Sequence, residues 1–164
     1  IERLGVDMIR HAVLEDIPAI RLIAKITWAQ AYESMIPEHI QDQFIKENYT
    51  DDHLRERINK KEVLVATEND LIVAYAYFQV EDDVCYLLAT YVLPTHQRSG
   101  IGTLLIQYLQ NEVKIKAHKI IVEVEVGNVQ AEEFYRVNDF VRGDCGYGEI
   151  MGHPLKTVNY ELLI

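Results

Sequence analysis

The chain has 164 residues, of which 49% are hydrophobic and 26% charged, and it carries a formal net charge of −10. That length and apolar content fit one domain over 1–164, with 1–7 read as disordered or non-native. The acidic balance argues against nucleic acid, whose phosphates are bound through Lys and Arg, and no apolar run has the length of a transmembrane helix.

No membrane association is expected. The first residues lack the apolar stretch of a signal peptide, so a cytoplasmic location is expected. Cys85 and Cys145 are too few for a disulfide scaffold. Cys85 lies in an apolar run and reads as a buried, inert thiol; Cys145 lies in a Gly-rich stretch. The histidines at 11, 39, 53, 96, 118 and 153 show no metal-ligand spacing, so no metal is expected.

Met8 to Val13 opens as a strand. Asp16 is placed to cap a helix with Pro18 in its first turn. Ile17, Ile20, Ala24, Trp28 and Ala31 follow at helical spacing. A second helix starts after Pro37, and Thr50 caps a third. The pattern then changes to strands over Glu62–Thr67, Leu71–Val80 and Val84–Leu93. Asn69-Asp70 and Glu81-Asp82-Asp83 are the turns between them. This is an antiparallel meander. A helix from about Gly100 to Lys116 comes next, then a strand over Lys119–Val126 and a helix over Asn128–Val137. Strands at Phe140–Arg142 and Thr157–Leu163 finish the chain. The strand from Val84, its helix and the strand from Lys119 form a β-α-β crossover. The whole predicts an α/β (α+β) fold: a mixed, mostly antiparallel twisted sheet of about six to seven strands with helices on both faces.

The segment Val92-Leu93-Pro94-Thr95-His96-Gln97-Arg98-Ser99-Gly100-Ile101-Gly102 carries the chemistry. A strand ends, a tight loop follows and a helix begins. The N–H groups of that loop and of the first helical turn lack intrahelical partners, and the helix dipole adds positive charge. A pyrophosphate fits there. Gly100 and Gly102 put no Cβ in its way, and Arg98 is placed to add a charge. Two glycines at a helix start also serve ordinary turns. A dinucleotide fingerprint needs a third glycine, and position 105 is Leu105.

Gln97-Arg98-Ser99-Gly100-Ile101-Gly102 resembles the Q/R-x-x-G-x-G/A signature of the GNAT acetyltransferases. Asn128-x-x-Ala131-x-x-Phe134-Tyr135, followed by Phe140, resembles that family's N-x-x-A-x-x-F-Y-x-x-x-G-F segment. The two cover roughly Tyr86 to Arg142. Asp139 stands where the family usually has Gly, at a helix end where Asp tolerates a left-handed conformation.

The resemblance implies an acetyl-CoA-dependent N-acetyltransferase, with acetyl-CoA as co-substrate. It implies cofactor contacts from Tyr91, Val92 and Leu93, from Gln97, Arg98, Ser99, Gly100, Ile101, Gly102 and Thr103, and from Asn128 and Tyr135. One of the strand amides would polarise the thioester carbonyl. Tyr135 matches the proton-donor position, one face and two helical turns from Asn128. Glu123 and Glu125 alternate with valines and are candidates for a base or relay, or for the solvated side of a strand. On the acceptor side, Trp28, Tyr32, Glu33 and Tyr49 would cradle an ammonium group; core packing explains Trp28 and Tyr32 equally. The 146–154 stretch reads as a long loop that covers the acceptor or meets a second subunit of a homodimer. The expected acceptor is a primary amine of a small cationic molecule such as a polyamine. The alternatives are a protein or peptide amine, a non-catalytic acyl-CoA sensor, and a module for a different diphosphate.

Overall fold

The computed structural model describes residues 8–164, so the expectation for 1–7 lies outside the described residues. Its elements are β1 (Met8–His11), α1 (Ile17–Ala31), α2 (Glu38–Asn48), α3 (Asp51–Asn59), β2 (Val63–Glu68), β3 (Leu71–Glu81), β4 (Val84–Val92), α4 (Ile101–Val113), β5 (Lys119–Glu125), α5 (Val129–Val137), β6 (Val141–Ile150) and β7 (His153–Leu163). The strands form one seven-stranded sheet in the order β1-β2-β3-β4-β5-β7-β6. β1, β2 and β3 pair antiparallel in succession, β4 pairs parallel with β5, and β7 lies antiparallel to both β5 and β6. The expected mixed, mostly antiparallel sheet with its β4-α4-β5 crossover is therefore present.

The chain gathers into two compact units. One is the described part of Ile1–Tyr77 with Ala89–Leu109, and the other is Phe78–Leu88 with Gln110–Ile164. The first buries one face of α1, through Ile17, Ile20, Ile23 and Ala24, among Tyr49, Leu54, Ile58, Val63, Val65 and Tyr75. Ile17, Ile20 and Ala24 recur at helical spacing, which is why the sequence pattern found them; Ile23 lies outside that pattern, and Ala31, which is part of it, is exposed. In the second unit Cys85, Leu87, Ile120, Val122, Val124, Phe140, Val158 and Tyr160 are buried. The alternation Ile120, Val122, Val124 is the inward face of β5. Cys85 is wholly buried, and burial pushes its thiol up to about 12, the inert behaviour expected of it.

The turns follow their chemistry. Asn69 and Asp70 have φ of 51° and 63°, and Asp82 and Asp83 have 50° and 63°. Two left-handed residues in a row make the tight hairpin turn that Asn and Asp tolerate. Asp139 has φ of 70°, the left-handed helix exit expected where Gly is usual. The Thr50 hydroxyl accepts the His53 N–H at 3.1 Å and caps α3 as expected.

Two expectations fail. The Asp16 side chain does not cap α1. It accepts two bonds from the Arg10 guanidinium, at 2.7 and 3.1 Å, and the Val13 N–H at 2.8 Å. A paired arginine fork outcompetes a helix amide for a carboxylate. The 146–154 stretch is not a long loop either. β6 runs to Ile150, Met151 and Gly152 turn with φ of 49° and 79°, and β7 starts at His153. Three glycines and the lack of an inward face on β6 hide this strand from any period-2 pattern.

Candidate active site

In the first unit, β4 ends at Val92 and the chain folds sharply into α4. The Leu93 N–H donates to the Val73 carbonyl at 2.9 Å, fixing the strand end on β3. Pro94–His96 make a single 3-10 turn, closed by the His96 N–H on the Leu93 carbonyl at 2.8 Å. The Ser99 hydroxyl donates to the His96 carbonyl. Arg98 and Gly100 have φ of 60° and 87°. Two left-handed residues within three positions curl the main chain into a concave turn, the conformation that converges N–H groups on an anion.

α4 begins directly after this turn. Its first main-chain bond joins the Leu104 N–H to the Gly100 carbonyl at 3.0 Å. Among the described residues, the Ile101, Gly102 and Thr103 amides have no main-chain acceptor, the ordinary state of a helix start. The helix is held rigid behind them by Ile101, Leu105 and Leu109, each 1% exposed or less. The free amides begin later than Gln97, whose N–H lies 3.5 Å from the Pro94 carbonyl. The Gln97 side chain is also engaged. Its amide nitrogen donates to the Val92 carbonyl and to the Gln30 side chain, both at 2.9 Å. Gln97 thus ties the end of β4 to α1. The Arg98 side chain is exposed.

A pair not visible in sequence braces the same loop. The His96 imidazole bonds Glu68 at the end of β2 through Nε2, and Thr95 Oγ1 through Nδ1 at 2.8 Å.

The aromatic candidates divide. Trp28 is 3% exposed, stacks on Phe44 at 4.2 Å, and donates its indole N–H to the Tyr91 hydroxyl at 2.7 Å. Tyr32 packs edge-on against Trp28 and is buried. Tyr49 is buried and shares a 2.6 Å hydroxyl bond with Tyr75. Burial raises both phenols, Tyr75 well above its ordinary value. Glu33 alone of the four is exposed. It lines a cleft of about 320 Å³ between α1 and α2, together with Trp28, Lys25, Glu38, Gln41 and Asp42. Three carboxylates against one ammonium make this cleft acidic.

In the second unit, Glu123 is exposed and Glu125 half-buried, on the face of β5 opposite the buried Val122 and Val124. Asn128 caps α5, its Oδ1 accepting the Ala131 N–H at 3.3 Å. Tyr135 is 6% exposed, with the rings of Phe134, Phe140 and Tyr160 at 5.0, 5.2 and 6.2 Å. Nearby, Glu132 accepts from the Tyr160 hydroxyl at 2.8 Å, from Arg142 at 3.2 Å and from the Gly127 N–H at 3.4 Å. The Tyr160 bond, helped by Arg142 and Gly127, holds this carboxyl below the usual range. Sequence reasoning missed Glu132, because its partners lie on other elements. Among the described residues no group of three His, Cys, Asp or Glu side chains is gathered as for a metal ion.

The comparisons with known proteins bear on the family and the fold. The family model described as acetyltransferase (GNAT) family matches residues 26–140. A search of curated proteins by sequence finds no relative. Among solved structures, the chain is similar to the PaiA N-acetyltransferase of Thermoplasma acidophilum in complex with coenzyme A. The TM-score is 0.85 at 20% identity, covering 96% of this chain and 98% of that one. It is also similar to a GCN5-related N-acetyltransferase of Rhodopseudomonas palustris, with TM-score 0.81, 20% identity and coverage of 96% and 95%. A third is yncA of Salmonella typhimurium, a putative acetyltransferase seen with its cofactor acetyl-CoA, with TM-score 0.68, 20% identity and coverage of 95% and 92%. The family match spans both motifs and more than half of the sequence, and the chain belongs to the GNAT family of acetyltransferases.

Proposed function

We propose that this protein transfers an acetyl group from acetyl-CoA directly to a primary amine of a small cationic molecule, a polyamine-like compound being the favoured acceptor. The observation that carries the acetyl-CoA half is the open row of amides at Ile101, Gly102 and Thr103 behind the left-handed turn at Arg98 and Gly100. These amides hold the diphosphate with main-chain N–H groups and the helix dipole, so an acidic protein needs few lysines there. The main chain of Tyr91 and Val92 supplies the pantetheine contacts and the amide that polarises the thioester carbonyl; the Leu93 N–H is already given to the Val73 carbonyl and takes no part, contrary to the expectation for Leu93. The Val92 carbonyl already holds Gln97, so the Gln97 side chain serves this contact by fixing the strand end.

In the reaction the amine first gives up a proton, because an amine of pKa about 10 is protonated at neutral pH. Glu123 or Glu125 passes that proton to solvent. The amine nitrogen then bonds to the thioester carbon, the carbon–sulfur bond breaks, Tyr135 protonates the leaving thiolate, and the second proton shed by the new amide nitrogen returns to the Tyr135 oxygen through solvent. Asn128 keeps its side-chain NH₂ for pantetheine while its carbonyl caps α5. The acceptor's charge is met by the cleft at Glu33, Glu38 and Asp42. The two free thiols and the use of coenzyme A suit a reducing cytoplasm.

A thermal-shift series followed by a thiol-release assay over an amine panel tests this. The expected result is stabilisation by acetyl-CoA and coenzyme A, and turnover highest with di- and polyamines. Binding without turnover on any amine makes the protein an acyl-CoA sensor. Turnover restricted to peptide N-termini moves the acceptor to a protein amine. Protection by ATP or NAD but not by coenzyme A contradicts the proposal outright.

A further inference from the structure

We infer, resting on the acetyl-transfer reading, that Trp28 is a positioning residue for the transfer step. Its indole N–H, acting through the Tyr91 hydroxyl, holds the end of β4 where the main chain meets the thioester.

Trp28 lies on α1 and is 3% exposed. Core packing accounts for its ring, which stacks on Phe44 of α2 at 4.2 Å and meets Tyr32 edge-on at 4.7 Å. Packing does not account for its polar atom. A buried indole N–H needs an acceptor. It is given to the Tyr91 hydroxyl at 2.7 Å, across 63 positions of sequence.

Tyr91 is one of the two residues whose main chain is proposed to bind pantetheine and polarise the carbonyl. Its ring is met from a second side by Tyr75, edge-on at 5.5 Å. Tyr75 is buried and shares a hydroxyl bond with Tyr49. The same helix holds Val92 by another route. The Gln97 side chain donates to the Val92 carbonyl, and Gln30 of α1 exchanges two amide bonds with Gln97, at 2.9 and 3.3 Å. α1 thus reaches two successive residues of the strand end, Tyr91 through Trp28 and Val92 through Gln97. Trp28 also lines the acidic cleft with Glu33, Glu38 and Asp42. One side chain therefore touches the cleft proposed for the acceptor and the strand proposed to present the acyl group.

A strut of this kind acts on rate more than on cofactor binding. The diphosphate is proposed to sit on the amides that open α4, which Trp28 does not hold. An oxyanion donor, in contrast, has to meet the developing charge at hydrogen-bond distance. A displacement of about 1 Å at a reacting centre costs about a hundredfold in rate, so the loss of one strut among several is expected to cost about tenfold.

Trp28→Phe and Tyr91→Phe test this, because each keeps a ring in place and removes one end of the bond. Each is expected to lower kcat about tenfold, with KM for acetyl-CoA within about twofold of wild type. The double variant is expected to be no slower than the slower single one, since both remove the same bond. Trp28 is the only tryptophan of the chain, so its fluorescence gives a readout that needs no turnover. Acetyl-CoA is expected to shift the emission maximum of the wild type. Tyr91→Phe is expected to abolish that shift while still binding acetyl-CoA in calorimetry. A wild type that shows the shift yet acetylates no amine overturns the acetyl-transfer reading and supports the contact with the donor's strand. A wild type that turns over while both variants keep its kcat, losses that add in the double variant, or an emission shift that Tyr91→Phe leaves unchanged overturns the inference. So does a fall in kcat matched by an equal rise in KM for acetyl-CoA, which marks a general loss of structure.

Discussion

Tyr135, the proposed proton donor, sits in a closely packed aromatic setting, and substitution by Phe keeps its ring. Tyr135→Phe is expected to lower turnover at least several-fold while leaving acetyl-CoA binding nearly intact. Steady-state kinetics beside a binding titration separate the two, and unchanged turnover removes Tyr135 from the mechanism. Gly100 works through its backbone. At φ of 87°, a Cβ is strained there, and the proposed diphosphate contact brings the cofactor to this turn. Gly100→Ala is expected to raise KM for acetyl-CoA roughly tenfold, the equivalent of about 1.4 kcal/mol of binding. An unchanged KM would show that the diphosphate does not approach this residue. Glu132 carries a prediction in pH. Its folded pKa lies below its unfolded value of about 4.3, chiefly through the Tyr160 hydroxyl. Its contribution is therefore present above that value and is lost as pH falls through the folded pKa. The wild type is expected to melt above Glu132→Gln at pH 7, with the gap closing as pH falls below about 4. A gap that persists in acid contradicts the assigned network.

At the scale of elements, α3 offers the simplest test of local rules. Thr50→Ala removes the hydroxyl that holds the His53 N–H, and a loss of about 1 kcal/mol is expected from chemical denaturation. Elements with one buried face were legible in the sequence. The helical spacing of α1 and α4 and the alternation in β5 each report a single core direction. Turns with Asn and Asp were legible because few other residues tolerate successive left-handed conformations. β6 was not legible beyond Arg142, because a strand with two exposed faces and three glycines has no alternation to read. Asp16 misled for a different reason. An acidic residue before a helix is a good cap only while no better partner is near, and Arg10 is close only in the folded chain.

At the scale of the molecule, the turn from β4 into α4 was legible because its requirement is local: a strand end, glycines and a helix start in immediate succession. Its supports were not, since Glu68–His96 and Gln30–Gln97 join residues far apart in sequence. Trp28 and Tyr32 fit core packing, and of the expected cradle only Glu33 faces solvent, in the acidic cleft. The activity proposed for the whole chain still depends on one physical claim, that main-chain amides at the start of α4 grip the diphosphate. A crystal structure of the protein with coenzyme A bound tests it most directly. Diphosphate oxygens within hydrogen-bond distance of the Gly102 and Thr103 amides are predicted. A cofactor seated elsewhere, with those amides facing only solvent, would contradict the account.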